Sequence, residues 1–106
     1  DMDARGLMDF KLGETPFDPI SKISYSKDGY ICASGDSFVQ SSVEIYCDIV
    51  DMEAYSFAKV CKLHNIRFKC FKYISDYANE NSNNDWIDNC SKGANLFCEI
   101  YPQLKI

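Results

Sequence analysis

The sequence is poor in the features that would place it in a special class. It has no apolar run approaching the ~18 residues that suggest a membrane span, so no transmembrane segment is expected. No signal peptide is visible, although a chain that begins at Asp1 rather than Met leaves the true start open. It has no low-complexity tract, and seven Phe and seven Tyr make it too aromatic for a disordered chain. No two cysteines have the close spacing of a zinc knuckle or redox motif, and the expected site has no metal and no cofactor. There is one histidine, His64, near the end of an expected helix, where it is better placed to meet the helix dipole than to catalyse. Basic residues are few: 11 against 16 acidic, a net charge of −5. An acidic surface repels phosphate backbones, which argues against a nucleic-acid partner.

What remains is an ordinary globular composition in 106 residues, at most one domain and small for an α/β enzyme. The six cysteines are Cys32, Cys47, Cys61, Cys70, Cys90 and Cys98. Several sit in apolar runs such as Tyr30-Ile31-Cys32-Ala33 and Phe68-Lys69-Cys70-Phe71. There they read as small buried hydrophobes with free thiols, which fits a cytoplasmic protein. The alternative is three disulfides in a secreted domain, a scaffold usually richer in loops and turn residues than this.

Along the chain, residues 1–20 are punctuated by Gly6, Gly13, Pro16 and Pro19 and read as a long loop after a strand end. Asp28-Gly29 is a turn signal, and residues 30–33 follow as a short buried strand that Ser34-Gly35-Asp36 breaks. Residues 40–47 suit a short helix, with Val43 and Cys47 on one face. Residues 48–52 read as a second strand. Residues 53–65 are the clearest helix, with Ala54, Phe57, Ala58 and Cys61 as its apolar stripe and Asn65 as a left-handed stop. Residues 67–74 are rich in Phe, Tyr and Ile and read as a strand. A polar loop over 75–84 leads to a last helix from Trp86 to about Tyr101, capped by Asp85 and ended by Pro102. Ile87, Cys90, Ala94, Phe97 and Cys98 are its expected buried face.

Alternating strands and helices predict an α/β class with a largely parallel sheet. Ligands of such sheets bind at the carboxyl ends of the strands. Phe38, Glu53 and Asp76 each follow one of the expected strands, so they are expected to gather on one rim. Each also has an everyday role. An Asp after a Ser is commonly a turn or cap residue, and otherwise suits a general acid. A Glu at a helix start interacts well with the dipole, and otherwise can accept two hydrogen bonds from a sugar diol. A Phe can be core, or a stacking platform for a heteroaromatic ring.

Three segments carry a more specific likeness: Ala33-Ser34-Gly35-Asp36-Ser37-Phe38-Val39, Val50-Asp51-Met52-Glu53-Ala54 and Ile74-Ser75-Asp76. In this order and spacing the chain resembles the 5′-methylthioadenosine/S-adenosylhomocysteine nucleosidases of the nucleoside phosphorylase superfamily. The resemblance runs from Asp1 to Leu104 and covers the carboxyl-terminal half of such enzymes. It implies part of a three-layer α/β/α fold with a mixed central sheet, an adenine nucleoside substrate and a homodimer of the full-length protein. Phe38 would stack on adenine, and the backbone of Val39 would bond its edge. Met52 would pack on the ribose, and Glu53 would accept its 2′- and 3′-hydroxyls. Asp76 would protonate N7 of the base, with Ser75 orienting it. Burial and the like charge of Glu53 are expected to raise the pKa of Asp76. Phe17 is the residue expected to reach a neighbour's pocket.

The chain departs from the family pattern with Asp51 in place of Glu, Lys72 in place of Arg, and altered spacing over residues 5–16. The amino-terminal half, with its water-activating carboxylate, is expected to be missing. The chain alone is therefore expected to be inactive and to aggregate or require a partner. A purine nucleoside phosphorylase is the close alternative, although Gly35 leans toward the nucleosidases. A non-catalytic nucleoside-binding or storage protein on the same scaffold is the other.

Overall fold

A computed structural model describes residues 2–3, 11, 14 and 22–104. They fall into two compact units. The first comprises Asp1–Phe38 and Val43–Phe68, the second Val39–Ser42 and Lys69–Ile106.

The first unit is built on a parallel sheet. Strands β1 (Met2–Asp3), β2 (Cys32–Gly35) and β3 (Ile49–Asp51) lie in that order, with β2 in the middle. Met2 pairs with Ser34 on one side, and Ser34 with Asp51 on the other. Helix α1 (Ala54–Leu63) follows β3 directly and packs on β2. Ala33, Tyr55 and Ala58 form the buried apolar centre. The Tyr25 hydroxyl donates to the Ala58 carbonyl at 2.8 Å, and its ring meets Phe68 at 5.5 Å between centroids.

The first strand is shifted along the chain from its expected position at 30–33. Tyr30 is 84% exposed, while the strand continues through Ser34 to Gly35. A polar residue would ordinarily interrupt a buried strand, but here the Ser34 hydroxyl donates to Asp51 Oδ1 at 2.5 Å and accepts the Tyr55 N–H at 2.9 Å. With both roles filled, a residue only 5% exposed carries no desolvation penalty that would end the strand. Residues 40–47 are not helical. A single i, i+4 pair does not outweigh the nucleation cost, and Ser41 and Ser42 favour competing local hydrogen bonds.

Helix α1 ends as its sequence suggests. Asn65 takes φ 55°, the Ile66 N–H reaches the Cys61 carbonyl at 2.8 Å and the Asn65 N–H reaches Lys62 at 3.3 Å. This is a Schellman closure with Asn in the left-handed position. The buried stripe, however, is rotated by about one residue. Tyr55 and Ala58 are buried while Phe57 is 63% exposed. The tether from Ser34 to the Tyr55 N–H turns that side of the helix inward.

The second unit is dominated by helix α2 (Ser82–Ile100), continued by a 3-10 turn (Tyr101–Gln103) that contains Pro102. The helix starts earlier than expected, so Asp85 lies in its first turn rather than capping it. Ser82 instead closes the start: its Oγ accepts the Asn79 N–H at 2.7 Å, and its own N–H donates to the Asn79 carbonyl at 3.0 Å. The expected buried face is also corrected. Ile87, Cys90, Ala94 and Cys98 are exposed and Phe97 half-buried, whereas Ser82 and Gly93 are buried and Asp85 and Asn89 half-buried. The inner stripe of α2 is therefore small and polar. Gly93 is the reason it fits so closely: a Cβ there would stand 2.6 Å from Tyr73 Cδ1.

Residues 67–74 form no ladder among the described residues. Their aromatic side chains pack on other elements, Phe68 on Tyr25 in the first unit and Tyr73 on Gly93 in the second. Such contacts satisfy side chains without pairing the backbone. The sheet is thus parallel throughout the described residues. The cysteines are free, but less buried than their apolar neighbours suggest: Cys32, Cys47 and Cys61 are half-buried and Cys70, Cys90 and Cys98 exposed. No described helix is long and apolar enough to cross a membrane.

Two substitutions test these packing arguments. Ser34→Ala strands the buried Tyr55 N–H and should cost about 1–3 kcal/mol in chemical denaturation. Gly93→Ala improves helix propensity by about 1 kcal/mol but overpacks Tyr73 at a cost of about 1–3 kcal/mol, so it should destabilise or at best be neutral. In a Tyr73→Ala background the same change should become stabilising, since only the propensity gain is left.

Candidate functional site

Because β2 and β3 are parallel neighbours, the residues that leave them emerge at the same end of the sheet. Phe38 follows β2, and Met52 and Glu53 follow β3. The junction between β3 and α1 is held by side chains rather than by an ordinary cap. Glu53 occupies the N-cap position without a capping bond. Asp51 Oδ2 accepts the Ala54 N–H at 2.9 Å, and Ser34 takes the next donor, that of Tyr55. Two of the orphan N–H groups of α1 are thereby satisfied. Glu53 is left exposed at the helix start with its carboxylate uncommitted to the cap, and Phe38 and Met52 are exposed beside the strand ends. Val39 is half-buried and begins the Val39–Ser42 stretch of the second unit.

Ser75 and Asp76 belong to the second unit. The Ser75 hydroxyl donates to Asp76 Oδ2 at 2.7 Å, and the Ala78 N–H donates to Asp76 Oδ1 at 2.9 Å. Ala78 adopts φ 53°, the left-handed geometry of a tight turn around the carboxylate. The pair opens into a cleft of about 310 Å³ lined by Tyr73, Ile74, Tyr77, Asp85 and Asn89 as well as by Ser75 and Asp76 themselves. Its chemistry is mixed, with aromatic and aliphatic walls around carboxylates and one carboxamide.

The electrostatics of Asp76 differ from the expectation. Burial does push its pKa upward, but the hydrogen bonds from Ser75, the Ala78 N–H and Ser82 outweigh it and hold the carboxyl below the usual carboxylate range. The open cleft therefore presents Asp76 ionised. Elsewhere, burial and then the charge of Asp48 push the Cys47 thiol up, against a smaller opposing effect of the amino-terminal charge, which disfavours it as a thiolate nucleophile. Among the described residues no group of three or more His, Cys, Asp and Glu is placed to hold a metal. Phe17 lies outside the described residues, as does the stretch 5–16 apart from Lys11 and Glu14.

Sequence reasoning passed over three residues that shape these sites. Ser34 reads as a strand breaker and Ser82 as part of a polar loop, and the sequence reading assigns Asn89 nothing. Asn89 Nδ2 donates to the Ser75 carbonyl at 2.9 Å. The available signal was a polar or small residue recurring at positions 82, 85, 89 and 93, a helical period that selects one face.

The depressed pKa of Asp76 has a measurable consequence for stability. A carboxyl with a folded pKa below its unfolded value of about 3.9 stabilises the fold above that pH and loses the contribution as pH falls through the folded value. Asp76→Asn should therefore lower the melting temperature at neutral pH, and the difference from wild type should shrink as the pH is lowered below about 4. A constant difference across the acid range would contradict the hydrogen-bonded ionised state.

Comparison with known proteins gives this arrangement its context. No curated protein and no solved structure matches the chain. The family model of the phosphorylase superfamily matches residues 30–104, a span that takes in β2, the β3–α1 junction, the Ser75–Asp76 cleft and all of α2. On that match the chain belongs to the phosphorylase superfamily.

Proposed function

We propose that this chain supplies the nucleoside-binding and base-protonating part of an enzyme that hydrolyses the N-glycosidic bond of 5′-methylthioadenosine and S-adenosylhomocysteine, releasing adenine. The observation that carries the reading is the Ser75–Asp76 pair, a hydrogen-bonded carboxyl at the edge of a cleft with aromatic walls, in a chain of the phosphorylase superfamily.

The chemistry asks for such a group. When the bond between C1′ and N9 breaks, its electron pair enters the purine ring, and an adenine anion is a poor leaving group. Proton delivery to N7 by Asp76 makes departure feasible, and Ser75 keeps the donor oxygen oriented. Phe38 stacks on the base, and the backbone of Val39 bonds its edge. Met52 packs against the ribose, and Glu53 holds its 2′- and 3′-hydroxyls. The sugar left behind is oxocarbenium-like, and nearby carboxylates favour that charge. Water then adds to C1′ and gives its proton to a base that no residue here is assigned to provide. The reading is of a homodimeric cytoplasmic enzyme.

Asp76 must be protonated to act. In the open cleft its hydrogen bonds favour the ionised form. A base filling the cleft expels water and places a neutral nitrogen against the carboxyl, and both changes favour the acid. As the reaction consumes a protonated donor, kcat should fall as pH rises past the pKa of Asp76 in the complex.

The test is product analysis on the active enzyme containing this chain. Adenine release should proceed without phosphate, and Asp76→Asn should reduce kcat by about 10²–10⁴-fold while adenine still binds. Phosphate-dependent formation of a ribose 1-phosphate would replace hydrolysis by phosphorolysis. Full turnover by Asp76→Asn would remove Asp76 from the proton-donor role.

A further inference from the structure

We infer that Asn89 is a positioning residue for this reaction, its carboxamide holding the main chain at Ser75 so that the Ser75–Asp76 pair faces the cleft in one orientation. The inference rests on the reading of Asp76 as the proton donor.

The argument begins with the peptide plane. The Ser75 carbonyl belongs to the rigid unit that also contains the Asp76 nitrogen, so whatever fixes that oxygen fixes the direction in which Asp76 leaves the chain. Asn89 Nδ2 donates to this oxygen at 2.9 Å. The other end of the carboxamide is fixed too: Asn89 Oδ1 accepts the Lys92 ammonium at 3.0 Å. An ammonium has only donors and a carbonyl only acceptors, so these two partners permit one orientation of the amide.

The position of Asn89 on α2 strengthens the case. Asn in the middle of a helix is a weak helix former with no capping work to do. It sits on the same inner stripe as Ser82 and Gly93. That stripe meets the chain over residues 73–79 at three points. Gly93 receives the ring of Tyr73, Asn89 holds Ser75, and Ser82 bonds Asp76 and Asn79. The outer two contacts set the height of the helix against the segment. Asn89 alone acts on the peptide unit next to the donor carboxyl. It also lines the cleft, so direct contact with substrate is the competing role that a test must separate.

The experiment uses the active enzyme containing this chain, with Asn89→Leu and the isosteric Asn89→Asp, each alone and combined with Asp76→Asn. A carboxylate at position 89 keeps the volume and the Lys92 contact but has no proton to donate to Ser75, so it reports on the hydrogen bond even if the leucine variant folds poorly. Both single variants should lower kcat by about tenfold to 100-fold, as a misplacement of the reacting group does, with KM changed by no more than about twofold. Neither should cause a further loss once Asp76 is Asn. A rise in KM at constant kcat would assign Asn89 to substrate contact. An undiminished loss in the Asp76→Asn background, or unchanged kcat, would overturn the positioning role. If Asp76→Asn itself keeps full turnover, the function reading has failed instead. The Asn89 inference is then still decided by carboxyl NMR on the substrate-free protein. Asn89→Leu, which removes the hydrogen bond without adding a charge, should move the titration of Asp76 and leave the remote carboxyls in place; an unmoved Asp76 would sink it.

Discussion

The hydroxyl of Ser34 and the carboxylate of Asp51 meet at the last paired register position between β2 and β3. Each then reaches forward to a backbone donor in the first turn of α1. Three elements that could otherwise slide past one another are locked at one point. The burial of Ser34 makes this lock selective, because any register that separated it from Asp51 and Tyr55 would leave polar atoms unpaired in the apolar centre. The exposed residues after the strands, Phe38, Met52 and Glu53, owe their common placement at one sheet end to this arrangement. Asp51 thus has a structural task that its acidic neighbour Glu53 does not share, although the two stand in one short motif.

The second unit solves a similar problem without a sheet. Its segment over 73–79 has no ladder to hold it among the described residues, so the polar inner stripe of α2 does that work. The result is a carboxyl with several donors already committed to it. Such a group is well oriented and reluctant to carry a proton. Orientation and acidity are therefore in tension at Asp76: the donors that fix the carboxyl also favour its ionised form.

Much of this was legible in the residues. Strong periodicity located α1, and Asn65 marked its end because few residues accept the left-handed conformation without strain. The α/β class and the strand at Ile49–Asp51 followed from apolar runs bounded by turn signals. The motif-bearing segments also directed attention to Ser75 and Asp76. What was illegible has a common cause. The end of β2, the start of α2, the face that α2 buries and the pKa of Asp76 all depend on side-chain hydrogen bonds that hydrophobic periodicity does not register. Ser34 reads as a breaker until Asp51 is opposite it. The apolar positions 87, 90, 94 and 98 read as core because a stripe of Ser82, Asp85, Asn89 and Gly93 gives no hydrophobic signal. The helix over 40–47 failed for the opposite reason, since a local pattern was present but too short to persist.

The composition of that inner stripe bears on the order of folding. Ser, Asp, Asn and Gly are among the weaker helix formers, and they occupy the side of α2 that makes its contacts. A helix so constituted draws little stability from its own sequence and must gain it by docking. Its formation and the immobilisation of the Asp76 turn are then one event rather than two in succession. Breathing of α2 and loosening of the cleft should accordingly share a single opening free energy, so that amide exchange along the helix becomes a direct gauge of how often the Asp76 carboxyl loses its place.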